Sequence, residues 1–448
     1  MRNKVQTKIS FLITLFFVMS CISQLISTNY LLHSSCKRNC QENDIYYMKF
    51  YDYKQFFNTD YINIEEVNDY YNSNYDNFYI LGEQNYSDLA LPYLHAKSLD
   101  PYSGPLLNFP FKSNLFPLGN LFIYLFTLLF SYKFFFVIYF LLSFGLFFYS
   151  NYLWLKNIEN SILYSLILTF GSYPFLFSLD RGNLETIIAP LVSISIFYLI
   201  NNKFLFFKII FIFAASFKGI HLIFLYLLLH LKNLKIFLTS FSIFVILNYL
   251  ALLTFKSSVK ASLINYLQAA QRLLDSNSIL FNTSLYNLNS FLIRSISIRY
   301  PDESLRGLKL ILLDFLNFIN RNFLFFSLFL SIYFILLIYF KFQNTNFKLT
   351  IVFLSLSIMY LVLYSALAGP YRLIFVQISL VIYFYEISKY NKTNKALDVY
   401  FSILIFLLFP IKIFFTNLYP IAISSGIMFL MLVVLTHFPR LIKVTQNA

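Results

Sequence analysis

The first polar region of the chain contains an aspartate in a position that suits general base catalysis. Asp88 begins a Leu/Tyr/Ala-rich stretch near the end of this region, shortly before an apolar run resumes. A carboxylate placed there can take a proton from an attacking hydroxyl group, or it can bind a metal ion. The alternative is a solvated loop residue or a helix cap, like the other aspartates of the same region.

A second group of polar residues separates two apolar runs. Residues 180–185 read Asp-Arg-Gly-Asn-Leu-Glu, so charged and amide groups lie at the boundary of an apolar segment, where they are costly unless paired. They form either a tight loop closed by an ion pair of Arg181, or a polar support for a substrate headgroup. In the second case Arg181 and Asn183 are candidate binding residues.

A lysine lies within another apolar run. Lys218 is flanked by Ala-Ala-Ser-Phe and Gly-Ile-His, too far from either end of the run to be a simple flanking cation. A lysine inside a membrane segment is a functional candidate by default, and its compact charge suits a phosphate group. The alternative is that its long side chain reaches towards the membrane surface.

Two later segments add further candidates for binding an anionic substrate. Asn282-Thr283-Ser284-Leu285 lies in a second polar loop and is followed by Arg294, and Arg372 follows a Gly-Pro-Tyr sequence at the start of an apolar run. Arg372 can face an anionic substrate or lipid headgroups. In the first loop, Tyr102 can pack against a sugar or a lipid chain, although tyrosines also collect at membrane interfaces for purely structural reasons.

The composition shows what kind of protein must position these residues. Of the 448 residues, 58% are hydrophobic and only 12% are charged, and the mean hydropathy is +0.66. Soluble globular proteins carry about 25% charged residues. The composition therefore excludes a soluble enzyme, a disordered protein and a disulfide scaffold, and it indicates an all-α polytopic membrane protein.

The charges are distributed unevenly along the chain. The region 33–115 holds 11 of the 20 acidic residues and only 6 of the 34 basic ones, while the chain as a whole has a net charge of +14. The remaining cations lie in short loops between apolar runs, as the positive-inside rule requires for cytosolic loops. We therefore expect contact with membrane lipids and no nucleic-acid partner.

The apolar runs predict about 12 transmembrane helices in a single membrane domain, residues 1–448. Both termini are predicted to be cytosolic, and two external loops are expected, at 33–115 and 256–307. A short apolar stretch at 308–319 is expected to lie along the membrane interface. The predicted spans are about 9–32, 116–132, 134–155, 160–179, 184–201, 209–231, 236–255, 323–340, 349–368, 371–388, 397–418 and 420–438.

Taken together, these segments resemble the GT-C superfamily of membrane glycosyltransferases, and most closely glycosyltransferase family 87. That family includes mannosyltransferase-like enzymes that use polyprenyl-phosphate sugars. The resemblance extends over about 80–300 and rests on an ordered set of short segments, each of low specificity by itself. They are Asp88-Leu89 with Asp100-Pro101-Tyr102, Arg181-Gly182-Asn183, Ala215-Ser216-Phe217-Lys218, and Asn282-Thr283-Ser284-Leu285 with Arg294.

The resemblance implies a GT-C-like helical bundle with a large first extracytoplasmic loop, and an enzyme at the outer face of a membrane. A mannose-like hexose would move from a polyprenyl-phosphate donor to a lipid or glycan acceptor, with inversion and with Asp88 as the base. Lys218, Arg294 and Arg372 would contact the phosphate. No cofactor or metal is expected, since no paired carboxylate motif is present, and the expected location is a bacterial cytoplasmic (inner) membrane.

Two features depart from the family pattern. The family has a proline three residues after the lysine, where this chain has His221. The alternation of spans also puts Arg181-Gly182-Asn183 on the cytosolic side, away from Asp88. Either this segment only supports packing, or the spans at 160–179 and 184–201 do not cross the membrane fully.

Other functions remain open at this point. A transporter or flippase for lipid-linked saccharides would also carry polar groups within its spans, although no internal repeat is visible in the sequence. A polysaccharide polymerase or ligase would also have many spans, but its large external loop normally lies in the middle of the chain.

Overall fold

The computed structural model describes residues 2–33, 116–130, 132–180, 182–255, 258–264, 293, 306–343, 345–363, 372–409 and 420–438. Every regular element in these ranges is helical and none is a strand, as the predicted all-α class requires. The external loops predicted at 33–115 and 256–307 lie largely outside the described residues.

The described residues group into two compact units. The first unit comprises Ile9–Leu222 and Asn233–Ser276, and the second comprises Met1–Lys8, Ile223–Lys232 and Asn277–Ala448. The helix α1 (Arg2–His33) begins in the second unit and continues into the first.

The first unit contains most of the helices that precede residue 253. They are α2 (Pro117–Leu129), α3 (Tyr132–Leu155), α4 (Ser161–Phe170), α5 (Tyr173–Asp180), α6 (Glu185–Ile200), α7 (Phe204–Phe217) and α9 (Leu234–Leu252). Here α6 packs against α3 and α7, and α2 packs against α7 and α9. After α7 a 3-10 helix follows at Gly219–Leu225, and it leads into α8 (Tyr226–His230).

The second unit contains α8 and the helices of the carboxyl-terminal half. They are α10 (Arg306–Arg321), α11 (Phe323–Lys341), α12 (Lys348–Val362), α13 (Leu373–Tyr390), α14 (Lys395–Leu408) and α15 (Pro420–His437). Here α12 packs against α13 and α15. Every side chain of α12 after Lys348 is buried, so this helix forms the core of the second unit.

Four helical segments among the described residues are long and apolar enough to cross a membrane. They are Lys4–Ser23, Val137–Leu155, Leu234–Leu252 and Leu373–Tyr390. Other apolar helices are shorter, so the number of about 12 spans stays a prediction. On α9, Leu238, Val245 and Leu250 are each about half exposed. Such an apolar exterior is compatible with a lipid environment.

The span predicted at 160–179 is not one continuous helix. It divides into α4 and α5 at Gly171 and Ser172. The hydroxyl of Ser172 accepts a hydrogen bond from the backbone N–H of Phe175 at 3.2 Å, and Pro174 lies in the first turn of α5. A serine cap followed by a proline is a typical helix start, which explains the interruption.

The span predicted at 209–231 is also interrupted. The helix α7 ends at Phe217, and Lys218 has an extended backbone with φ −143° and ψ 106°. Gly219 then begins the 3-10 helix. Glycine is the least favourable residue after proline for continuing an α-helix, so a break is expected at this place in physical terms, although the apolar pattern runs through it.

The amino-terminal end of α2 packs closely against this break. The backbone N–H of Phe116 donates to the carbonyl of Phe217 at 3.4 Å. Asn248 of α9 accepts a hydrogen bond from the N–H of Leu118 at 3.1 Å. The carbonyl of Phe217 has no helical partner because α7 ends there. It is thus hydrogen-bonded within the unit, as a buried backbone group requires.

The close approach of α2 predicts a strong steric effect at Gly119. A Cβ atom at this position would lie 2.5 Å from the carbonyl oxygen of Ser216 and 2.9 Å from Cα of Phe217. Because both are backbone atoms, Gly119→Ala is expected to displace the break and to destabilise the protein by about 1–3 kcal/mol. The measurement is the midpoint of thermal unfolding in detergent.

Gly145 on α3 is a matched control for this substitution. A Cβ atom at Gly145 would meet no atom within 4 Å. Since alanine favours a helix over glycine by about 0.5–1 kcal/mol, Gly145→Ala should leave the unfolding midpoint unchanged or raise it. Equal midpoints for the two alanine variants would show that α2 does not pack tightly on the break.

The helix α10 spans the apolar stretch at 308–319, which is expected to lie along the membrane interface. Its exposed side chains include Ile311, Phe315 and Phe318, whereas Leu316 is buried. An amphipathic helix with exposed aromatic and aliphatic residues is typical of one lying in the plane of a membrane surface. Its position at the interface stays a prediction.

Candidate functional site

Four polar side chains of the first unit meet beside the break in α7. Lys218 Nζ lies 3.3 Å from Asn183 Oδ1 and 3.4 Å from Glu185 Oε1. His221 Nε2 lies 2.8 Å from Glu185 Oε2. We call this group, Asn183, Glu185, Lys218 and His221, the polar cluster.

A tight helix end places Asn183 and Glu185. At the end of α5 the N–H of Gly182 donates to the carbonyl of Leu179 at 3.0 Å, and the N–H of Asn183 donates to that of Ser178 at 2.8 Å. This pair of bonds is a Schellman motif, and it requires a left-handed residue. Gly182 supplies it with φ 66°.

The side-chain amide of Asn183 is hydrogen-bonded to the first residue of the next helix. Its Oδ1 accepts a hydrogen bond from the N–H of Glu185 at 3.0 Å, and Glu185 is the first residue of α6. The same oxygen accepts from Lys218. One amide oxygen therefore orients both the start of α6 and the lysine ammonium group.

The break in α7 places Lys218 and His221. Because Lys218 is extended, its carbonyl is not used in the α-helical pattern, and it accepts hydrogen bonds from the backbone N–H of His221 at 3.1 Å and from its Nδ1 at 2.6 Å. The imidazole is thereby held with Nε2 towards Glu185. A continuous helix would not bring His221 into this arrangement with the lysine carbonyl three residues earlier.

Hydrogen-bond chemistry determines how many protons the cluster holds. A carbonyl oxygen only accepts, so His221 Nδ1 carries a proton and donates it to Lys218 O. The contact between His221 Nε2 and Glu185 Oε2 needs one more proton, since two lone pairs would otherwise face each other at 2.8 Å. The pair is either an imidazolium with a carboxylate or an imidazole with a carboxylic acid, and its net charge is zero in both.

The side chains of the polar cluster differ in how far they are buried. The side chains of Glu185 and His221 are 1% and 0% exposed, while that of Lys218 is 19% exposed. Burying charged groups requires that they be paired and hydrogen-bonded, as Glu185 and His221 are. Of these three side chains, that of Lys218 is the most exposed.

A line of hydroxyl groups joins α3 to α6. Tyr139 donates to the carbonyl of Asn183 at 3.1 Å, and Thr186 lies 2.9 Å from the Tyr139 hydroxyl and 2.8 Å from that of Ser143. Farther along, Ser193 accepts from Trp154 Nε1 at 2.9 Å. Hydrogen bonds of this kind join helices in apolar surroundings. They therefore fix α6, the helix that carries Glu185, against α3.

Arg372 lies in the second unit, where its described contacts are with Tyr360 of α12. Its Nη1 donates to the carbonyl of Tyr360 at 3.0 Å, and its guanidinium lies 4.6 Å from the centre of the Tyr360 ring. Tyr360 is in the last turn of α12, where carbonyls lack helical partners and cations are favourable. The described contacts therefore make Arg372 a cap of α12, and its predicted contact with a phosphate stays a prediction.

Several predicted site residues lie outside the described residues, and their placement is untested. They are Asp88, Tyr102, Arg181, Asn282, Ser284 and Arg294. Of the predicted residues that are described, the structure brings together Asn183 and Lys218, which are 35 positions apart. Which side of a membrane the segment 181–183 faces stays open, since Arg181 lies outside the described residues and the contact of Asn183 with Lys218 is compatible with both alternatives.

Glu185 and His221 complete the cluster, and neither was among the predicted site residues. In the sequence Glu185 is one of the polar residues of 180–185, and His221 is a departure from a family pattern. For His221 the available signal is its spacing from Lys218. A histidine three residues after a lysine, with a glycine directly after the lysine, lies one 3-10 turn away from it.

Among the described residues, no three or more histidine, cysteine or acidic side chains lie together in a way that could hold a metal ion. Comparison with known protein families, with characterised proteins and with solved structures found no match for the chain.

Proposed function

We propose that this chain is a membrane glycosyltransferase that uses a polyprenyl-phosphate sugar. The observation that supports the proposal is the contact between Lys218 Nζ and Asn183 Oδ1 at 3.3 Å. These residues end two separate segments of the resemblance, Arg181-Gly182-Asn183 and Ala215-Ser216-Phe217-Lys218. Segments that serve one site are expected to meet, and these two do.

In the proposed reaction Asp88 takes the proton of an acceptor hydroxyl group. The hydroxyl oxygen attacks the anomeric carbon of the sugar, and the bond from that carbon to the phosphate oxygen breaks on the opposite face. The electron pair leaves with polyprenyl phosphate, and the sugar is transferred with inversion. Positioning and stabilisation of the phosphate charge then supply most of the rate.

The remaining proposed roles follow from charge and hydrogen-bonding capacity. Lys218 stabilises the departing phosphate, and a supporting set of polar residues orients the donor. The supporting set is Arg294, Arg372, Asn282, Ser284, Tyr102, Arg181 and Asn183. The transferred sugar is a mannose-like hexose, the acceptor is a lipid or a glycan, and the reaction takes place at the outer face of a bacterial cytoplasmic (inner) membrane. The amino and carboxyl termini face the cytosol.

The experiment that tests this proposal is sugar transfer in detergent micelles. The purified protein is mixed with a radiolabelled polyprenyl-phosphate hexose and, in separate samples, a lipid extract or a glycan extract, and the products are separated by thin-layer chromatography. Because micelles enclose no compartment, a flippase yields no new product in this assay. A labelled glycolipid supports the transferase, and recovery of the donor alone with every hexose tried excludes it.

A flippase or transporter of lipid-linked saccharides is the second candidate, and the broken helix at Lys218 is the observation that favours it. Transporters often carry interrupted helices with charged groups at the interruption. The distinguishing experiment uses proteoliposomes with a fluorescent lipid-linked sugar and a membrane-impermeant quencher. Protein-dependent movement between leaflets, together with no product in micelles, would favour this second function.

A further inference from the structure

We propose that the second unit binds an anionic phospholipid, with its phosphate at Lys232 and Lys348, where the end of α8 meets the start of α12, and its acyl chains along the exposed face of α11. All these elements belong to the second unit. The proposed site needs no sugar donor, so it does not rest on the proposed function.

The end of α8 and the start of α12 bring two lysines together. The ammonium group of Lys348, the first residue of α12, donates a hydrogen bond to the carbonyl of His230, the last residue of α8. An ammonium group has three N–H donors, and this bond uses one of them. Lys232 follows two residues after His230, and its charge acts on that of Lys348. We call Lys232 and Lys348 the lysine pair. Because like charges repel each other, an anion that contacts both is favoured.

No carboxylate among the described residues forms an ion pair with either member of the lysine pair. Glu386 of α13 comes close to the start of α12. Its two oxygens, however, accept hydrogen bonds from the backbone N–H groups of Leu349 and Thr350, at 3.3 Å and 3.0 Å. Even when Glu386 is ionised, the two positive charges are opposed by one negative charge, so this place keeps a positive excess.

One face of α11 carries a stripe of exposed apolar side chains. Its members are each at least half exposed and follow one another at intervals of three or four residues: Phe325, Phe329, Ile332, Leu336 and Phe340. Residues at these intervals share one face of a helix. At 1.5 Å per residue the stripe is about 22 Å long, which exceeds the hydrocarbon depth of one membrane leaflet, about 15 Å. The stripe can therefore accommodate the full length of a lipid chain.

The stripe ends beside α8. The ring of Tyr339 lies 5.4 Å from the ring of His230 and 5.4 Å from that of Phe340, and α8 packs against both α11 and α12. Lys341 then ends α11, and the segment 323–348 contains two lysines and no acidic residue. This part of the second unit thus changes from an apolar stripe to a cationic end, which complements the acyl chains and the phosphate of an anionic lipid.

The charges determine which lipid fits. A phosphodiester brings a negative charge to the lysine pair while its acyl chains lie on the apolar stripe. A zwitterionic lipid also brings a cationic group, which the lysines repel. A free phosphate ion gains nothing from the stripe. We therefore expect the site to prefer phosphatidylglycerol over phosphatidylcholine.

The test is native mass spectrometry of the full-length protein, released from neutral detergent micelles that contain phosphatidylglycerol and phosphatidylcholine in equal amounts. The unaltered protein should retain phosphatidylglycerol at least tenfold more often than phosphatidylcholine. Lys232→Gln and Lys348→Gln should each reduce this preference about threefold to tenfold, which is the usual effect of one cation near a lipid phosphate. Equal retention of the two lipids by the unaltered protein would overturn the proposal.

Lys392→Gln is the matched control, since Lys392 is an exposed lysine of the same unit and the substitution removes the same charge. This variant should keep the preference of the unaltered protein. Equal losses in Lys392→Gln and Lys232→Gln would show an effect of net charge alone and would refute the site. Lys348→Gln also loses the bond to the end of α8. If that variant does not fold, Lys232→Gln decides, because Lys232 is exposed.

Three further ligands separate a lipid from a free phosphate. Inorganic phosphate and glycerol 3-phosphate carry the charge without acyl chains, and neither should displace phosphatidylglycerol at equal concentration. Diacylglycerol carries the chains without a phosphate, and it should be retained no better than phosphatidylcholine. Displacement by either soluble phosphate would assign the lysine pair to a free phosphate, and retention of diacylglycerol equal to that of phosphatidylglycerol would show contact with the chains alone. Each result would overturn the anionic lipid site.

Discussion

Replacing Asp88 with asparagine is expected to abolish sugar transfer, with a loss of about 10²–10⁴-fold if a residual rate is measurable. Asparagine has nearly the size of aspartate, but its amide does not take up a proton from the acceptor hydroxyl. The loss should appear in the turnover number more than in the KM for the donor, because the base acts on the acceptor. The measurement is the initial rate of transfer in micelles.

Asp76→Asn is the matched control, since Asp76 lies in the same acidic region and the substitution is the same. This variant should retain the rate of the unaltered protein, and both variants should be found in the membrane fraction in equal amounts. An Asp88→Asn protein with full activity would remove Asp88 from the mechanism. Equal losses in both variants would point to the folding of the loop instead of the chemistry.

Replacing Lys218 with methionine is expected to lower transfer about a hundredfold, which is the usual cost of removing one group that stabilises the charge of a transition state. Methionine keeps much of the length and apolar character of the lysine side chain. The Glu185–His221 pair would remain, since its 2.8 Å contact does not involve the lysine side chain. The effect should therefore be a loss of positive charge with little loss of stability.

Lys208→Met is the control for this variant, because Lys208 lies on α7, the helix that ends directly before Lys218, ten positions earlier. Its transfer rate should be unchanged. Lys218→Arg should recover part of the activity, since a cation is restored with a different shape. A Lys218→Met protein with the same kcat and KM as the Lys208→Met control would exclude the polar cluster from the reaction.

The apolar runs of the sequence predicted the positions of most described helices closely. The run at 184–201 corresponds to α6 at Glu185–Ile200, and the run at 323–340 corresponds to α11 at Phe323–Lys341. This agreement has a simple cause. A long apolar segment with few charges must satisfy its backbone hydrogen bonds internally, and an α-helix does so with local contacts alone.

The interruptions of the helices were harder to predict, since the apolar pattern continues through them. Gly171 and Lys218 lie in runs whose hydropathy does not fall enough to mark an end. The deciding features are local: a serine cap and a proline after Gly171, and Gly219 after Lys218.

The polar cluster depends on packing, and the sequence gives only its parts. Glu185 and His221 are 36 positions apart, and whether two such residues meet depends on how α6 packs against α7. Asn183 and Lys218 were predicted separately from charge and position, but their contact through one amide oxygen was not. The line of hydroxyl groups on α3 and α6 was likewise visible only once the two helices were seen side by side.

The most direct test of the central claim is the transfer of labelled hexose from its polyprenyl-phosphate donor by the purified protein in micelles, compared with the Asp88→Asn protein under the same conditions. We expect a labelled glycolipid or glycan from the unaltered protein and none from the variant. Unchanged donor in both samples, with protein-dependent movement of the same donor across proteoliposomes, would contradict the proposed glycosyltransferase.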